Sequence, residues 1–543
     1  MASTLLRSAV VIATGLFASL IYRGYQQRKL FRRTVREYGG PTLPGHSWIF
    51  GDLITVGKCM SKHTDSVHGQ LVFHLLALDY PEIQAAGALY VDLWPISYPT
   101  LATFLPELTS QYTQDQSQPK HAILNVEFNT FTGMKDLVTS DGQAWKKWRM
   151  AFNPGFSSQN VMALVPLFVR EALVWKEYLH QVAETGETIK LEKQLMKATC
   201  DVISYSVLGA SAGIQTTNSR LWWALKAQIS FLYADWGPQT LTKALHPLRP
   251  VLMWYYNRVL RQELLPLIKA QMKEEDDASE GFKTISRLAL RAFKKEYGKA
   301  TEDERRRLEA EFLDVTVEQM KIFFFAGHDT TSSTLCFAYA ELCNHPEALR
   351  KVREEHDSVF GTDASKATQL LTEDPVLLNK LPYTAAIMKE VLRMYPPIGS
   401  VRAGSPTLHL ADPKVPGRRL PTDGFMLHDC TLAIHRHPDL WSKPDEFIPE
   451  RWLENEGGKI GKNTFRAFSL GPRNCIGQEL AMTELKMLLV MTIRELDFEL
   501  AYTKDDPRIL GSQTFQAQMP GELVAHPSKG LPVRISLRQQ ATT

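Results

Sequence analysis

A single cysteine in a glycine-containing loop is the group in this sequence best suited to chemistry. The loop, residues 468–477, reads FSLGPRNCIG and leads directly into a helical pattern. At a helix N-terminus, free N–H groups and the helix dipole lower the pKa of a thiol. Gly471 and Gly477 permit a tight loop and the close approach of a flat ligand, and Arg473 supplies a cation for an anionic group. We therefore expect a thiolate at Cys475, covered from water by Phe468.

The ligand of this thiolate can be narrowed by what each kind of site requires. Zinc requires three or four ligands, and no Cys or His lies at Cys-x2-Cys spacing from Cys475. An iron–sulfur cluster requires more thiolates. A cysteine nucleophile needs a histidine base, and the sequence leaves that alternative open. A single thiolate bound axially to haem iron fits the pattern best.

The loop, F-x-x-G-x-R-x-C-x-G, resembles the haem-binding loop of the cytochrome P-450 family. Further motifs follow in the family's order along nearly the whole chain: AGHDTT at 326–331, KEVLR at 389–393, YPP at 395–397 and PERW at 449–452. The family often has Phe where Trp452 stands. The sequence is identified as a member of this family, which implies haem b as cofactor, with Cys475 as the axial iron ligand.

The resemblance also implies roles for residues outside the loop. Asp329 and Thr330 resemble the family's acid–alcohol pair, which handles protons for dioxygen. Glu390 and Arg393 are three residues apart and face the same side of a helix. The resemblance implies that Arg451 joins them in a charge triad that braces the haem loop.

Basic side chains are expected to meet the anionic haem propionates, because bidentate arginine–carboxylate pairing suits them. WKKWR at 145–149 resembles the helix whose Trp and Arg meet a propionate, and Arg402 and Arg473 resemble further partners. Arg436 is a weaker candidate, since it also reads as a surface charge. The residues expected to bind the cofactor are Trp145, Arg149, Arg402, Phe468, Arg473, Cys475 and Gly477.

The composition is that of an ordinary globular protein and excludes several other classes. Hydrophobic residues make up 44% of the 543 residues and charged residues 22%. The net charge of +3 does not favour nucleic-acid binding. Six cysteines exclude a disulfide scaffold. No glycine-rich phosphate loop follows a strand, so dinucleotide binding within this chain is unsupported.

The N-terminal segment is predicted to be a membrane anchor. Residues 8–22 carry no charge, and residues 5–22 would form a helix of roughly 27 Å, close to the thickness of the endoplasmic-reticulum hydrocarbon core. A cleaved signal peptide is the alternative, although no clear A-x-A site follows. The basic residues of 23–36 place the body of the protein in the cytosol by the positive-inside rule. We expect a single-pass endoplasmic-reticulum protein.

The rest of the chain reads as a mainly α protein with a small β region, which is the cytochrome P-450 fold preceded by one transmembrane helix. Helices are predicted at 315–344, 347–360, 381–394 and 478–496, and strands at 498–503 and 533–537. The expected organisation is a membrane anchor with a basic stop-transfer segment (1–36), a Pro/Gly hinge (37–50) and a haem-thiolate catalytic domain (51–543).

The activity that the resemblance implies is that of a haem-dependent monooxygenase acting on a hydrophobic small molecule. Its electrons would come from a separate NADPH–cytochrome P-450 reductase, alone or with cytochrome b5, and Lys146 and Lys147 could belong to the docking face. Residues 126–134, the stretch 231–236 and residues near Ala326 are expected to line the substrate pocket.

Two stretches, VDLWPIS at 91–97 and WKKWRMAFNPGFS at 145–157, resemble filamentous-fungal members that tailor secondary metabolites such as polyketides or terpenoids. Two alternatives remain open. One is a haem-thiolate isomerase or dehydratase, which needs no reductase, and the other is a non-catalytic haem-thiolate sensor or carrier. The Asp329–Thr330 pair argues for the monooxygenase.

Overall fold

Helices form most of the molecule, which confirms the mainly α class. The computed structural model describes residues 2–232, 242, 246–273, 282–298, 301–453, 460–518 and 523–539. The α-helices are α1 (Ala2–Tyr38), α2 (Leu53–Met60), α3 (Val72–Asp79), α4 (Pro81–Ala86), α5 (Pro106–Ser110), α6 (Ile123–Thr132), α7 (Gly142–Phe152), α8 (Ser158–Thr185), α9 (Leu191–Leu208), α10 (Arg220–Ile229), α11 (Arg249–Lys273), α12 (Ile285–Tyr297), α13 (Glu302–Asn344), α14 (Pro346–Phe360), α15 (Ala367–Glu373), α16 (Pro382–Met394), α17 (Thr431–His435) and α18 (Gln478–Thr492). Short 3-10 helices lie at Gly69–Leu71, Asn153–Phe156, Ala364–Lys366, Pro375–Lys380, Pro449–Trp452 and Ser528–Gly530, and a π-helical turn at Gln111–Asp115.

The strands form small sheets at the edge of the helical body. The strands are β1 (Ala88–Val91), β2 (Thr100–Thr103), β3 (Ile189–Lys190), β4 (Ser400–Ala403), β5 (His409–Ala411), β6 (Arg419–Pro421), β7 (Met426–Asp429), β8 (Leu496–Leu500), β9 (Gln516–Ala517), β10 (His526–Pro527) and β11 (Pro532–Leu537). One sheet has the order β1-β2-β7-β4, in which only the β2–β7 pair is parallel, and another has the antiparallel order β3-β11-β8. The strands β5 and β6, and β9 and β10, form antiparallel pairs.

The central helix α13 organises the core. It begins at Glu302, earlier than the predicted 315, because Thr301 and Glu304 form a capping box that stabilises an additional charged stretch of helix. It ends at Asn344, just before Pro346 opens α14. Residues 316–325 and 331–342 of α13 are buried, and α8, α9 and α18 contribute to the same hydrophobic cluster.

The remaining predicted elements agree closely with the structure at their starts. Helix α14 starts at Pro346 and α16 at Pro382, each within one residue of prediction, while α18 ends at Thr492, four residues early. The predicted strand 498–503 is observed two residues earlier, as Leu496–Leu500. Both differences have one cause: β8 pairs in register with β11, so the chain turns after Thr492 and enters a sheet at Leu496.

The first 38 residues contain the helix α1, but the predicted transmembrane span is not found. Within the ranges that the structure describes, no helix is both long enough and apolar enough to cross a membrane.

The second half of α1 packs against the rest of the described chain. Arg28 is 1% exposed and forms an ion pair with the buried Asp92, and its Nη2 donates to the carbonyl oxygen of Trp94 at 2.9 Å. A side chain at Gly24 would lie 2.6 Å from the ring of Trp94. Phe31 is buried in a cluster with strands β1, β2 and β7. Part of the segment predicted to flank the membrane is therefore integral to the packed domain.

Candidate active site

The loop before α18 holds Cys475 by backbone geometry. The N–H of Cys475 donates to the carbonyl oxygen of Phe468 at 2.8 Å, and the N–H of Asn474 donates to that of Gly471 at 3.1 Å. Helix α18 begins three residues after the cysteine, with Gly477 as its N-cap. The predicted loop-then-helix arrangement is thus present, and it presents the sulfur at the start of α18.

The two loop glycines meet different requirements. Gly471 has φ +83°, and a Cβ there would lie 2.1 Å from the carbonyl oxygen of Thr113, so the loop can pack on the π-helical turn only with glycine. Gly477 has φ −87°, which any residue can adopt, and a Cβ there would meet only Cys475 Sγ at 3.9 Å. Gly477 therefore keeps space open beside the sulfur.

The pKa of Cys475 is raised, which contradicts the expected lowering. Burial of the thiol raises the pKa, while the N–H of Gly477 and the charge of Arg149 lower it without compensating. The side chain borders open space, yet the protein around the sulfur disfavours the charged form. A cation at the sulfur is needed to favour the thiolate, as a bound metal would provide.

Side chains from α7 brace the same loop. The guanidinium of Arg149 donates to both the carbonyl and the side-chain oxygen of Asn474, each at 2.8 Å. Arg473 forms an ion pair with Asp141, donates to the Ser140 carbonyl at 2.9 Å, and lies 4.7 Å from the ring centroid of Trp145. The predicted residues Trp145, Arg149 and Arg473 are thus brought together around the loop.

Arg402 on β4 is a buried cation without a hydrogen-bonded anion. Its side chain is 0% exposed, and none of its three guanidinium nitrogens has a hydrogen-bond partner among the residues that the structure describes. Burial lowers the pKa of Arg402 to about 10, and the nearby charge of Arg473 adds to this. Lys120 forms an isolated antiparallel β-bridge with Arg402 and therefore lies beside it. The pKa of Lys120 is well below its ordinary value, mainly because of burial and further because of the charges of Arg402 and Arg473.

These features fit haem. An unpaired buried guanidinium is costly, and it is satisfied by a carboxylate. Arg402, Lys120 and Arg473 therefore form a cationic cluster that suits two propionate arms, while the open space at Gly477 and the sulfur of Cys475 suit a flat ring and its iron. Lys120 was not among the predicted partners, because a lone lysine ahead of a helix carries no motif.

The stretch 326–330 is the point where the buried helix α13 meets open space. Ala326 is exposed and Thr330 partly exposed, although the residues before and after this stretch are buried. A Cβ on Gly327 would lie 2.6 Å from Ile203, so glycine lets α9 pack closely here rather than breaking the helix. The hydroxyl of Thr330 donates to the carbonyl oxygen of Ala326 at 2.9 Å, leaving its oxygen free to accept.

Asp329 points to the other side, into the core. It is 0% exposed, and its Oδ1 lies 3.5 Å from Nε2 of His526 on β10. Burial raises the pKa of Asp329, but the charge and hydrogen bond of His526 and the charge of Lys226 outweigh it, so the pKa lies below its ordinary value. Asp329 is thus an ionised carboxylate one residue from Thr330, and no motif in the sequence points to its histidine partner.

The Glu390, Arg393 and Arg451 side chains meet as the resemblance implied. Glu390 Oε1 lies 2.8 Å from Arg393 Nη2 and 2.9 Å from Arg451 Nε, and both Glu390 and Arg393 are fully buried. Arg393 also donates to the carbonyl oxygens of His435 and Glu446, at 2.9 and 3.0 Å. The cluster therefore ties α16 to the segment that precedes the haem loop.

Trp452 adds a bond that phenylalanine would lack. Its indole Nε1 donates to Glu390 Oε2 at 2.9 Å, and the N–H of Ile448 donates to Oε1 at 3.0 Å. The departure from the family's usual Phe therefore supplies a further donor to the buried carboxylate.

The other sequence candidates divide between the site and the core. Phe128 and Phe131 on α6 pack against Phe325, with ring centroids 6.2 and 5.9 Å apart, which places α6 beside Ala326. Of the predicted stretch 231–236, residues 233–236 lie outside the described residues. Arg436 is buried, not a surface charge, and pairs with Asp445 at 2.7 Å rather than joining the Arg402 cluster.

Comparison with known proteins gives a consistent result. The family model described as Cytochrome P450 matches residues 83–525. The chain is 33% identical over 540 residues to cytochrome P450 monooxygenase polC of Polytolypa hystricis, covering 97% of this chain and 94% of that protein. It is 30% identical to cytochrome P450 monooxygenase acrF of Aspergillus aculeatus, covering 88% of this chain and 99% of that protein. The crystal structure of the cytochrome P450DA heme domain shares the fold, with a TM-score of 0.69 at 20% identity, over 92% of this chain and 98% of that chain.

Proposed function

This chain belongs to the cytochrome P450 family and is a haem-dependent monooxygenase, and from that premise we propose that it oxidises a hydrophobic secondary metabolite with electrons from a separate reductase. The observation that carries the reaction class is the coincidence of three features. A thiol borders open space at the start of α18, the buried guanidinium of Arg402 has no hydrogen-bonded anion among the described residues, and Ala326 and Thr330 are exposed or partly exposed between buried stretches of helix α13.

The chain's own residues would hold the cofactor in a fixed orientation. Cys475 would ligate the iron, and Arg402, Lys120 and Arg473 would bind the propionates, while Arg149 secures the loop through Asn474. Haem bound in this way supplies the activation of dioxygen. The protein's contribution is position, exclusion of water and control of protons.

Proton control is assigned to the middle of α13. The Thr330 hydroxyl donates a hydrogen bond to the carbonyl oxygen of Ala326, so its oxygen is left to accept a hydrogen bond from water and to hold that water in the pocket. Asp329, whose ionised carboxylate lies on the core side of the neighbouring position, would take up a proton on that side for transfer to the water. A pair of this kind serves the oxidation of a substrate with dioxygen, and this favours the monooxygenase over an isomerase or a carrier.

Replacement of Thr330 with alanine is expected to uncouple electron use from product formation. Without the hydroxyl, water is no longer held beside Thr330 and protons are delivered late, so hydrogen peroxide would form instead of product. We expect NADPH consumption to continue while product falls and hydrogen peroxide rises at least several-fold. All three rates are measured with one turned-over substrate and a reconstituted reductase.

Thr334→Ala is the matched control for this experiment. Thr334 lies one turn further along α13 and makes the equivalent bond to the Thr330 carbonyl at 2.8 Å, but it is buried. The control should retain coupling, and Thr330→Ser should restore part of it. Coupling that is unchanged in Thr330→Ala would overturn the proton role and reopen the isomerase and carrier functions.

The electron donor that we propose is an NADPH–cytochrome P450 reductase, alone or with cytochrome b5. Lys146 and Lys147 lie exposed on α7, the helix whose Arg149 contacts the Cys475 loop. A basic surface this near the thiolate suits an acidic redox protein. Substitution of both lysines by glutamate should slow reduction by the reductase without changing the carbon-monoxide spectrum.

The substrate class is proposed from the pocket and from the relatives. Phe128, Phe131 and Phe325 form a buried aromatic cluster behind Ala326, and an apolar wall of this kind suits a flat apolar molecule. The relatives from Polytolypa and Aspergillus, and a third from Penicillium ochrochloron at 26% identity, are monooxygenases of fungi. A polyketide or terpenoid produced by the same organism is the substrate that we propose to test.

We propose that the first part of α1 attaches the protein to the endoplasmic-reticulum membrane, with the catalytic body in the cytosol. The uncharged run at residues 8–22 supports this. A chain that begins at Gly24 should leave the membrane fraction at least partly and still bind haem, because Arg28 and Phe31 remain. A chain that begins at Gly39 should fail to bind haem, because the buried Asp92 loses its ion pair with Arg28.

Fractionation and the carbon-monoxide spectrum of both truncated chains check this prediction. Arg33→Ala is a suitable control within the full chain, since Arg33 forms only an exposed pair with Glu37. Full haem binding by the chain that begins at Gly39 would contradict the packing role of α1. Cleavage of the segment in the native protein would contradict the anchor.

A further inference from the structure

A buried chain of charged side chains joins three elements behind the active-site stretch of α13. His526 on β10 lies between Asp329 on α13 and Glu192 on α9. Its Nδ1 is hydrogen-bonded to Glu192 Oε1, and its Nε2 is 3.5 Å from Asp329 Oδ1. The exposures of His526, Asp329 and Glu192 are 0%, 0% and 3%. A buried histidine between two carboxylates is held in one orientation, and each ring nitrogen faces an acceptor.

The backbone around His526 is fixed independently of this histidine. The Ser333 hydroxyl on α13 donates to the carbonyl oxygen of Ala525 at 2.6 Å, and the N–H of Ala525 donates to that of Pro397 at 2.9 Å. His526 also pairs in register with Ala517 in the β9–β10 ribbon. The ring therefore faces Asp329 because the fold holds β10 against α13, and not only because the charges attract.

We propose that His526 is a positioning residue for Asp329: its ring, oriented by Glu192, holds the Asp329 carboxylate by an ion pair beside Thr330. This role rests on the proposed monooxygenase function, in which Asp329 handles protons. The β9–β10 ribbon, which carries His526, would therefore contribute to the control of protons at the site. Neither Asp329 oxygen has another hydrogen-bond partner among the described residues, so His526 is the group that fixes this carboxylate.

The charges around the pair agree with an imidazolium at His526. Burial lowers the pKa of His526, but Glu192 and Asp329 together raise it well above its ordinary value. His328, 3.9 Å from Asp329, and His68 both have a pKa of about 4 because of burial, and so are neutral near pH 7. Two further titratable groups among the described residues act on the pair: Lys226 on α10 and Cys200 on α9. Burial raises the pKa of the Cys200 thiol well above its ordinary value, so this thiol carries no charge near pH 7.

The pH dependence of unfolding tests the ion pair without any turnover. A raised histidine pKa contributes stability that is complete below the unfolded pKa of about 6.5 and is lost as pH rises toward the folded value. The lowered pKa of Asp329 contributes a constant amount in that range. The ratio of unfolding constants between H526Q and the wild type should therefore shrink by up to about tenfold per pH unit above pH 6.5. Urea unfolding of the holoenzyme at pH 6.5 to 9 measures it.

His356→Gln provides the matched control. His356 is a buried histidine on α14, bonded to Thr384 at 2.9 Å, and burial lowers its pKa to about 3. It stays neutral throughout the range, so H356Q should be destabilised equally at every pH. The E192Q variant should show the wild-type loss of stability over a narrower pH range, because His526 loses the partner that raises its pKa. A pH slope in H526Q that equals the wild-type slope, or a loss of stability in E192Q that continues to as high a pH as in the wild type, would overturn the proposal.

Turnover then connects the pair to catalysis. In E192Q the fraction of electrons that reaches product should decline at a lower pH than in the wild type, with an unchanged carbon-monoxide spectrum. Unaltered pH profiles of coupling in both variants would contradict the positioning role. A wild type that never oxygenates, but still shows the pH slope, would instead contradict the proposed function and leave the ion pair established.

Discussion

The Glu390→Ala variant is expected to lose about 3–5 kcal/mol of stability and to fail to retain haem. Its carboxylate lies against the guanidinium of Arg393, which is fully buried, and that of Arg451. Removal of one partner leaves a buried charge uncompensated, and a loss of this size is a large part of a typical stability of about 5–15 kcal/mol. Haem content after purification and the melting temperature of the variant measure the effect.

The chain offers a control with the same spacing and a different environment. Glu347 and Arg350 on α14 also lie three residues apart and pair at 2.5 Å, but both side chains are more than half exposed. Glu347→Ala should leave haem content and melting temperature unchanged, since exposed pairs contribute little. Trp452→Phe should cost far less than Glu390→Ala, because it removes one donor and leaves the charges matched. Full haem retention by Glu390→Ala would mean that the cluster does not support the haem loop.

The sequence predicted best those features that lie within a few consecutive residues. The loop around Cys475, the i,i+3 pair Glu390–Arg393 and the starts of α14 and α16 are local patterns, and the structure has them where expected. The fold class followed from the length of α13 and the shortness of the strand patterns. Each of these features is fixed by hydrogen bonds or contacts between near neighbours in the chain.

Features that depend on distant partners were missed or misread. The His526–Glu192 bond joins residues 334 positions apart, and neither has a motif around it. Arg28 was interpreted as a charge that stops membrane transfer, but its partner Asp92 is 64 residues away. The predicted direction of the Cys475 pKa shift was wrong, because the helix dipole was visible in the sequence and the desolvation of the thiol by the surrounding protein was not.

Cys475 accounts for the largest expected loss of activity. The Cys475→Ser variant should lose the strongly red-shifted Soret band of the reduced, carbon-monoxide-bound state and all monooxygenase activity. A hydroxyl does not supply the thiolate electron density that favours cleavage of the O–O bond. The five other free cysteines of the described residues are buried or half-buried. Burial raises the pKa of Cys59 and Cys343 to about 12, so neither of these two readily replaces Cys475 as a thiolate ligand.

A cysteine in the core provides the comparison for this experiment. Cys336 on α13 is fully buried in the hydrophobic cluster, where it acts as a small apolar side chain. Cys336→Ala should melt at a slightly lower temperature and keep the red-shifted band, because the sulfur it removes faces other core residues. Cys475→His should bind haem with the spectrum of a nitrogen ligand. If Cys475→Ser kept the thiolate spectrum, another cysteine would be the ligand, and the assignment of the loop at 468–477 as the haem-binding loop would be wrong.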